Sequence, residues 1–71
     1  MEKLNNKINM ESMKYHSMLL TKEFGIPYEE SWWYIDDICK KNNLDMSYND
    51  TIIWATLETE KFLHAHEEIW K

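Results

Sequence analysis

The apolar positions of this chain fall into three segments with helical spacing. The middle one, Pro27 to Cys39, is the most clearly patterned. At about 100° per residue, the angle of a 3.6-residue turn, Tyr28, Ser31, Trp32, Ile35, Ile38 and Cys39 share one face, with Tyr34 at its edge. Trp33 points the other way, among Glu29, Glu30, Asp36 and Asp37. Trp32 is placed to anchor a core, and its neighbour to stand on an acidic surface.

The first segment carries two apolar stripes. Leu4, Ile8, Tyr15 and Leu19 form one; Met10, Met13, Leu20 and Phe24 form the other, on nearly the opposite side. A surface helix normally shows a single apolar face, so this helix either lies between two layers or buries its second stripe against another chain. The third segment has one broad face of Ile52, Ala55, Phe62, Leu63, Ile69 and Trp70, with Thr56, Thr59 and His66 inside it. Ile53, Leu57 and His64 form a smaller patch to one side, which becomes core if the first helix packs there.

Punctuation separates the segments. The chain's one glycine and one proline sit together in Gly25-Ile26-Pro27; glycine suits the position after a helix and proline the first turn of the next. Lys41-Asn42-Asn43-Leu44-Asp45 marks a second break, because Asn and Asp side chains bond to nearby backbone. Ser47 or Asn49 then caps a third helix, with Asp50 favourable near its positive end. The expectation is an all-α, small three-helix bundle in one helical domain spanning 1–71. Its helices lie at about 4–24, 27–42 and 48–70, with short loops and antiparallel neighbours.

With 71 residues, the chain buries too little surface to be more than marginally stable. Cys39 is the lone cysteine, so no internal disulfide helps. Its Trp, Tyr, Phe and Met residues supply the apolar core instead, or copies of the chain associate. An unpaired cysteine fits a reducing, cytoplasmic setting. No apolar run approaches the roughly 20 residues that span a bilayer, and the opening residues lack the apolar centre of a signal peptide. Valine, glutamine and arginine are absent while Asn, Lys, Ile and Met are frequent, a bias suggesting an AT-rich bacterial or phage coding sequence.

The net charge of -5 is uneven: residues 1–24 hold four lysines and three acids, residues 25–71 four lysines and ten acids. Without arginine or a basic cluster, direct nucleic-acid binding is disfavoured. The acidic surface either serves solubility or meets a basic protein partner.

Few residues point to chemistry. His64 and His66 are two apart, about 200° around a helix, and cannot easily share a metal; the His-Glu-x-x-His spacing is absent. His64 with Glu68, or His16 with another helix, could be recruited in a dimer. Cys39 on an apolar face reads as an inert small hydrophobe. Asp36-Asp37 and Glu67-Glu68 diverge by about 100° within each doublet and are not matched acid–base pairs. No catalytic, cofactor-binding or metal-binding residue is assigned, and the chain is not expected to be an enzyme.

Trp33 carries the functional reading. Tryptophan is enriched among the residues that dominate binding energy, and it pairs with cations. Its alternative is to pack under the N-terminal segment or the third helix. The expectation is a small non-enzymatic protein-binding module, a bacterial or phage regulator or inhibitor that occludes a site on a larger protein, with a basic partner the one its charge would suit. The docking residues are Glu29, Glu30, Trp33, Asp36 and Asp37 on one helix and Met10, Met13, Leu20 and Phe24 on another, with a homodimer possible. Two alternatives stand beside it: an acidic mimic of DNA that inhibits a nucleic-acid-binding protein, and a structural homo-oligomer or assembly factor.

Overall fold

A computed structural model describes residues 8–66. Helix α1 runs Met10–Phe24, α2 Tyr28–Lys41 and α3 Asn49–Ala65. Each helix touches the other two, so the expected three-helix bundle is formed. The Ser12 hydroxyl donates to Asn49 Oδ1 where α1 and α3 begin. His64 Nε2 lies 3.7 Å from Glu23 Oε2 near their ends. These two contacts make α1 and α3 parallel, with α2 running back between them.

The helix ends differ from expectation for local reasons. Helix α1 begins at Met10, not near Leu4, because Asn9 caps it: its side chain accepts from the Ser12 N–H at 3.1 Å. The Asn9 N–H donates to the Met46 carbonyl at 2.9 Å, drawing this segment onto the α2–α3 loop. Ile8 therefore packs against the core from outside the helix rather than on a helical stripe. Helix α2 excludes Pro27 and Asn42, which flank it as caps. Neither Ser47 nor Asn49 caps α3; Tyr48 occupies that position. The Ser47 N–H and hydroxyl both bond to Asp45 Oδ1, while the Asn49 side chain is engaged by Ser12. Helix α3 ends at Ala65, where the His66 N–H turns back to the Phe62 and Leu63 carbonyls. The expected positions 4–7 and 67–70, Leu4, Ile69 and Trp70 among them, lie outside the described residues.

Gly25 performs its expected task. Its backbone is left-handed (φ 70°, ψ 26°), and its N–H closes α1 onto the Thr21 carbonyl at 2.9 Å. Residues with a side chain avoid this region because Cβ crowds the carbonyl. Asn43, at φ 56°, makes the corresponding turn after α2, and the Leu44 N–H caps the Cys39 carbonyl at 2.9 Å.

The core corrects two expectations. Its centre is aliphatic, not aromatic: Met13, Leu20, Ile35, Cys39, Ile52, Ala55 and Leu63 are buried, and none of the described aromatic rings is. Trp32 and Phe24 only flank this centre, half-buried. Phe62, expected in the core face of α3, is exposed. Five hydroxyl side chains fill the remaining interior: Ser12, Ser17, Ser31, Thr56 and Thr59. Thr56 and Thr59 donate to the carbonyls four residues back, at 2.7 and 2.9 Å. Ser31 and Thr21 bond to each other across α1 and α2 at 2.8 Å. Pairing of this kind offsets most of the cost of burying a hydroxyl; Ser17 Oγ is the exception, with no partner among the described residues.

The second correction concerns α1. It is two-faced as expected, but the stripe assigned to docking is the one that the chain buries. Met13 and Leu20 are fully enclosed and Phe24 is half-buried, leaving Met10 alone exposed at the edge. The outward stripe is Tyr15 and Leu19, joined by Met18.

Two adjacent leucines test this assignment. Leu20→Ala should cost about 2–5 kcal/mol, the range for truncating an enclosed leucine. Leu19→Ala should cost less than about 1 kcal/mol, as at other surface sites. Urea unfolding of both variants reads the difference, and equal losses would overturn the orientation of α1. Gly25→Ala should cost about 1–2 kcal/mol through backbone strain alone, because an added Cβ meets nothing within 4 Å.

Candidate functional site

The outer face of α2 and the adjoining edge of α3 form one surface of rings, exposed at Trp33 and Phe62 and half-buried at Tyr34 and His66. Trp33 is 56% exposed. Its ring meets Tyr34 edge-on, with centroids 5.4 Å apart. Tyr34 leans across the seam to Phe62 of α3 at 5.9 Å. Phe62, 45% exposed, stacks in turn on His66 at 4.4 Å. The His66 ring is held by its Nδ1, 2.8 Å from the Phe62 carbonyl. Each ring thus braces the next, at the separations and tilts that aromatic pairs prefer. A surface of braced rings loses little side-chain entropy on binding.

The charges around it are less uniform than the sequence implies. Asp36 pairs with Lys40 at 3.0 Å and Asp37 with Lys41 at 3.2 Å, each acid one turn before its lysine. That order suits the helix dipole. These exposed pairs contribute little stability, but they cancel half of the acidic setting expected around Trp33. Glu29 and Glu30 make no ion pair among the described residues and sit in the first turn of α2, where its dipole favours them. Partial burial, then the charge of Glu30, holds the Tyr34 phenol above its usual range, so it remains a hydrogen-bond donor.

Of the nine residues expected to dock, Glu29, Glu30, Trp33 and Asp37 lie on the outer face of α2, while Asp36 turns toward the side of α2 that carries Ile8 and Met46. Met10, Met13, Leu20 and Phe24 do not join it; Met13 and Leu20 are inaccessible. Periodicity missed Tyr34 and Phe62 as partners of Trp33. Each lies at the edge of its helix's apolar face, and only the packing of α2 on α3 sets them side by side.

Three other places hold polar or titratable groups. At the α1/α3 seam, Glu23, Glu60 and His64 approach one another, with Phe24 edge-on to the His64 ring at 5.0 Å. Burial, then the Glu23 charge, raises the Glu60 carboxyl above its usual range, while His64 opposes the shift. On the other end of that seam, the His16 Nδ1 is buried with no hydrogen-bond partner among the described residues, and burial lowers the pKa of the ring. A shallow depression of about 440 Å³ lies beside the α2–α3 loop, lined by Ile8, Asp36, Cys39, Lys40, Leu44 and Met46. Its Asp36 is paired with Lys40, and the Cys39 thiol is pushed up to about 11 by burial and then by the Asp36 charge. A thiol so protonated is a poor nucleophile. Among the described residues, no three His, Cys, Asp or Glu side chains converge as a metal site requires. No described helix is long and apolar enough to cross a membrane.

Comparison with protein-family models, with curated proteins and with solved structures finds no match to this chain.

Two measurements follow from these groups. Cys39 should resist alkylation by iodoacetamide in native buffer and react only as the chain unfolds, with labelling tracking the urea transition; fast native labelling would contradict its burial. Glu60, with its folded pKa raised, binds a proton more tightly in the native state than in the unfolded one. Its contribution therefore favours folding at low pH and declines as pH rises from the ordinary value of 4.5 through the raised folded value. Glu60→Gln should remove that decline and be more stable than the parent at neutral pH, as read by urea melts from about pH 4 to 8.

Proposed function

We propose that this protein is a small non-enzymatic binding module whose α2/α3 ring surface docks on a larger protein and occludes a site there. The observation that supports this most is the chain of contacting rings from Trp33 through Tyr34 and Phe62 to His66, presented to solvent across two helices. A small domain gains nothing in its own stability from leaving Trp33 so exposed. Tryptophan and tyrosine are the side chains that most often dominate a protein interface. Glu29 and Glu30 beside the rings suit a partner carrying Lys or Arg, which would meet both a carboxylate and a ring face. The lone enclosed thiol fits a reducing cytoplasm, and the composition fits a regulator or inhibitor of bacterial or phage origin. The DNA-mimic alternative draws no support from this geometry, because Lys40 and Lys41 interrupt the row of carboxylates.

Affinity capture with parallel baits tests the reading. Proteins retained by the parent chain should be lost with Trp33→Ala and reduced with Phe62→Ala, but kept by Tyr48→Ala, which alters an exposed ring outside this surface. Truncating an interface tryptophan should weaken binding by about 2 kcal/mol, roughly 30-fold. Identical captured sets from all four baits would reject the ring surface as the docking site.

A further inference from the structure

The outward face of α1 has a pattern that the ring surface does not use. Glu11, Tyr15, Met18 and Lys22 recur at spacings of four, three and four. At about 100° per residue they fall within an arc of about 60°, directly away from Met13 and Leu20. All four are exposed, Tyr15 at 60% and Met18 at 55%. This is the spacing of a helix–helix seam, with apolar residues at its centre and one charge of each sign at its ends. Glu11 lies in the first turn of α1 and Lys22 in the last, each where its own helix dipole favours it.

Reversed, the series is complementary to itself. We propose that two copies of this chain associate through α1, the helices antiparallel about a twofold axis between Tyr15 and Met18. In that register Tyr15 meets Met18 of the second copy, and Met18 meets its Tyr15. Glu11 then meets Lys22 of the second copy at both ends. Leu19 lies on the α3 flank of this seam and Lys14 on the α2 flank; the twofold sets like flanks together, so Leu19 faces the α3 flank of the second copy. Leu57 of α3 broadens the patch. The Ser12–Asn49 and Glu23–His64 contacts place it level with Leu19, on the outer side of the same seam. A parallel pairing of the same faces would set Glu11 against Glu11 and Lys22 against Lys22. The end charges therefore choose the antiparallel dimer as well as supporting it. A twofold interface of this kind is closed, so it yields dimers and not filaments.

Sedimentation equilibrium of the full chain, from about 1 µM to 1 mM, tests the proposal over the affinities open to a single helix pair. The parent should pass from monomer to dimer within that range. Met18→Glu should remain monomeric. Glu11→Lys and Lys22→Glu should each weaken the dimer by about tenfold, since each replaces two attractive pairs by two repulsive ones. The double variant Glu11→Lys/Lys22→Glu should regain the parent's affinity, and circular dichroism should show all variants equally folded. Trp33→Ala should dimerise like the parent, which separates this surface from the ring surface. A monomer throughout, a dimer indifferent to Met18→Glu, a dimer lost with Trp33→Ala, or a double variant no better than the single ones would each overturn the proposal.

Discussion

The bundle depends on an interior to which none of the described residues contributes a ring. Its centre is built from Met13, Leu20, Ile35, Cys39, Ile52, Ala55 and Leu63, completed by buried serines and threonines. Side chains of this size leave no room at the axis for a tryptophan, and packing at protein density admits few adjustments. The described aromatic residues are consequently displaced to the seams and outer faces. Their exposure is a consequence of how the core is filled, and it creates the surface through which the chain can act.

The buried hydroxyls make this arrangement selective. Thr56 and Thr59 satisfy themselves within α3, whereas the Thr21–Ser31 bond ties α1 to α2 and the Ser12–Asn49 bond ties α1 to α3. A purely aliphatic core would tolerate rotation of a helix about its axis. A hydroxyl turned away from its partner would be left unpaired in the interior, at a cost of about 1–3 kcal/mol. These bonds help fix which face of α1 is inside. They thereby decide that Tyr15, Met18 and Leu19 remain outside.

Much of this was legible in the chain. The three helices, the break at Gly25 and the outward direction of Trp33 all follow from local rules: a 3.6-residue period, one left-handed glycine and one proline. The choice between the two stripes of α1 did not follow. Periodicity finds both, but burial is settled by residues far away in sequence, including Ser31, Asn49 and Ile35. The start of α1 was lost for a similar reason. Asn9 is a good cap, yet it competes with Asn5 and Asn6 upstream, and its bond to Met46 exists only once the α2–α3 loop is in place. In the ring surface, Trp33 was legible because its helix is strongly two-sided. Tyr34 and Phe62 were not, since each sits on a boundary where a few degrees of helix rotation separate core from surface. The pairing of Asp36 and Asp37 with lysines one turn on was present in the spacing, and it halves the negative character that the doublet alone implies.

The parallel relation of α1 and α3 bears on how the chain assembles. The links at Gly25–Pro27 and Asn42–Tyr48 are short, so α1 with α2, and α2 with α3, can form hairpins by closing small loops. The seam between the first and last helices joins residues such as Ser12 and Asn49, 37 positions apart. Closing so long a stretch of disordered chain is entropically expensive, and it becomes inexpensive once both hairpins exist. Either hairpin can therefore form first, but the α1/α3 seam closes last. A partly folded chain would hold one hairpin alone; where that is α1 on α2, Leu20 and its neighbours stay open toward the place that α3 fills.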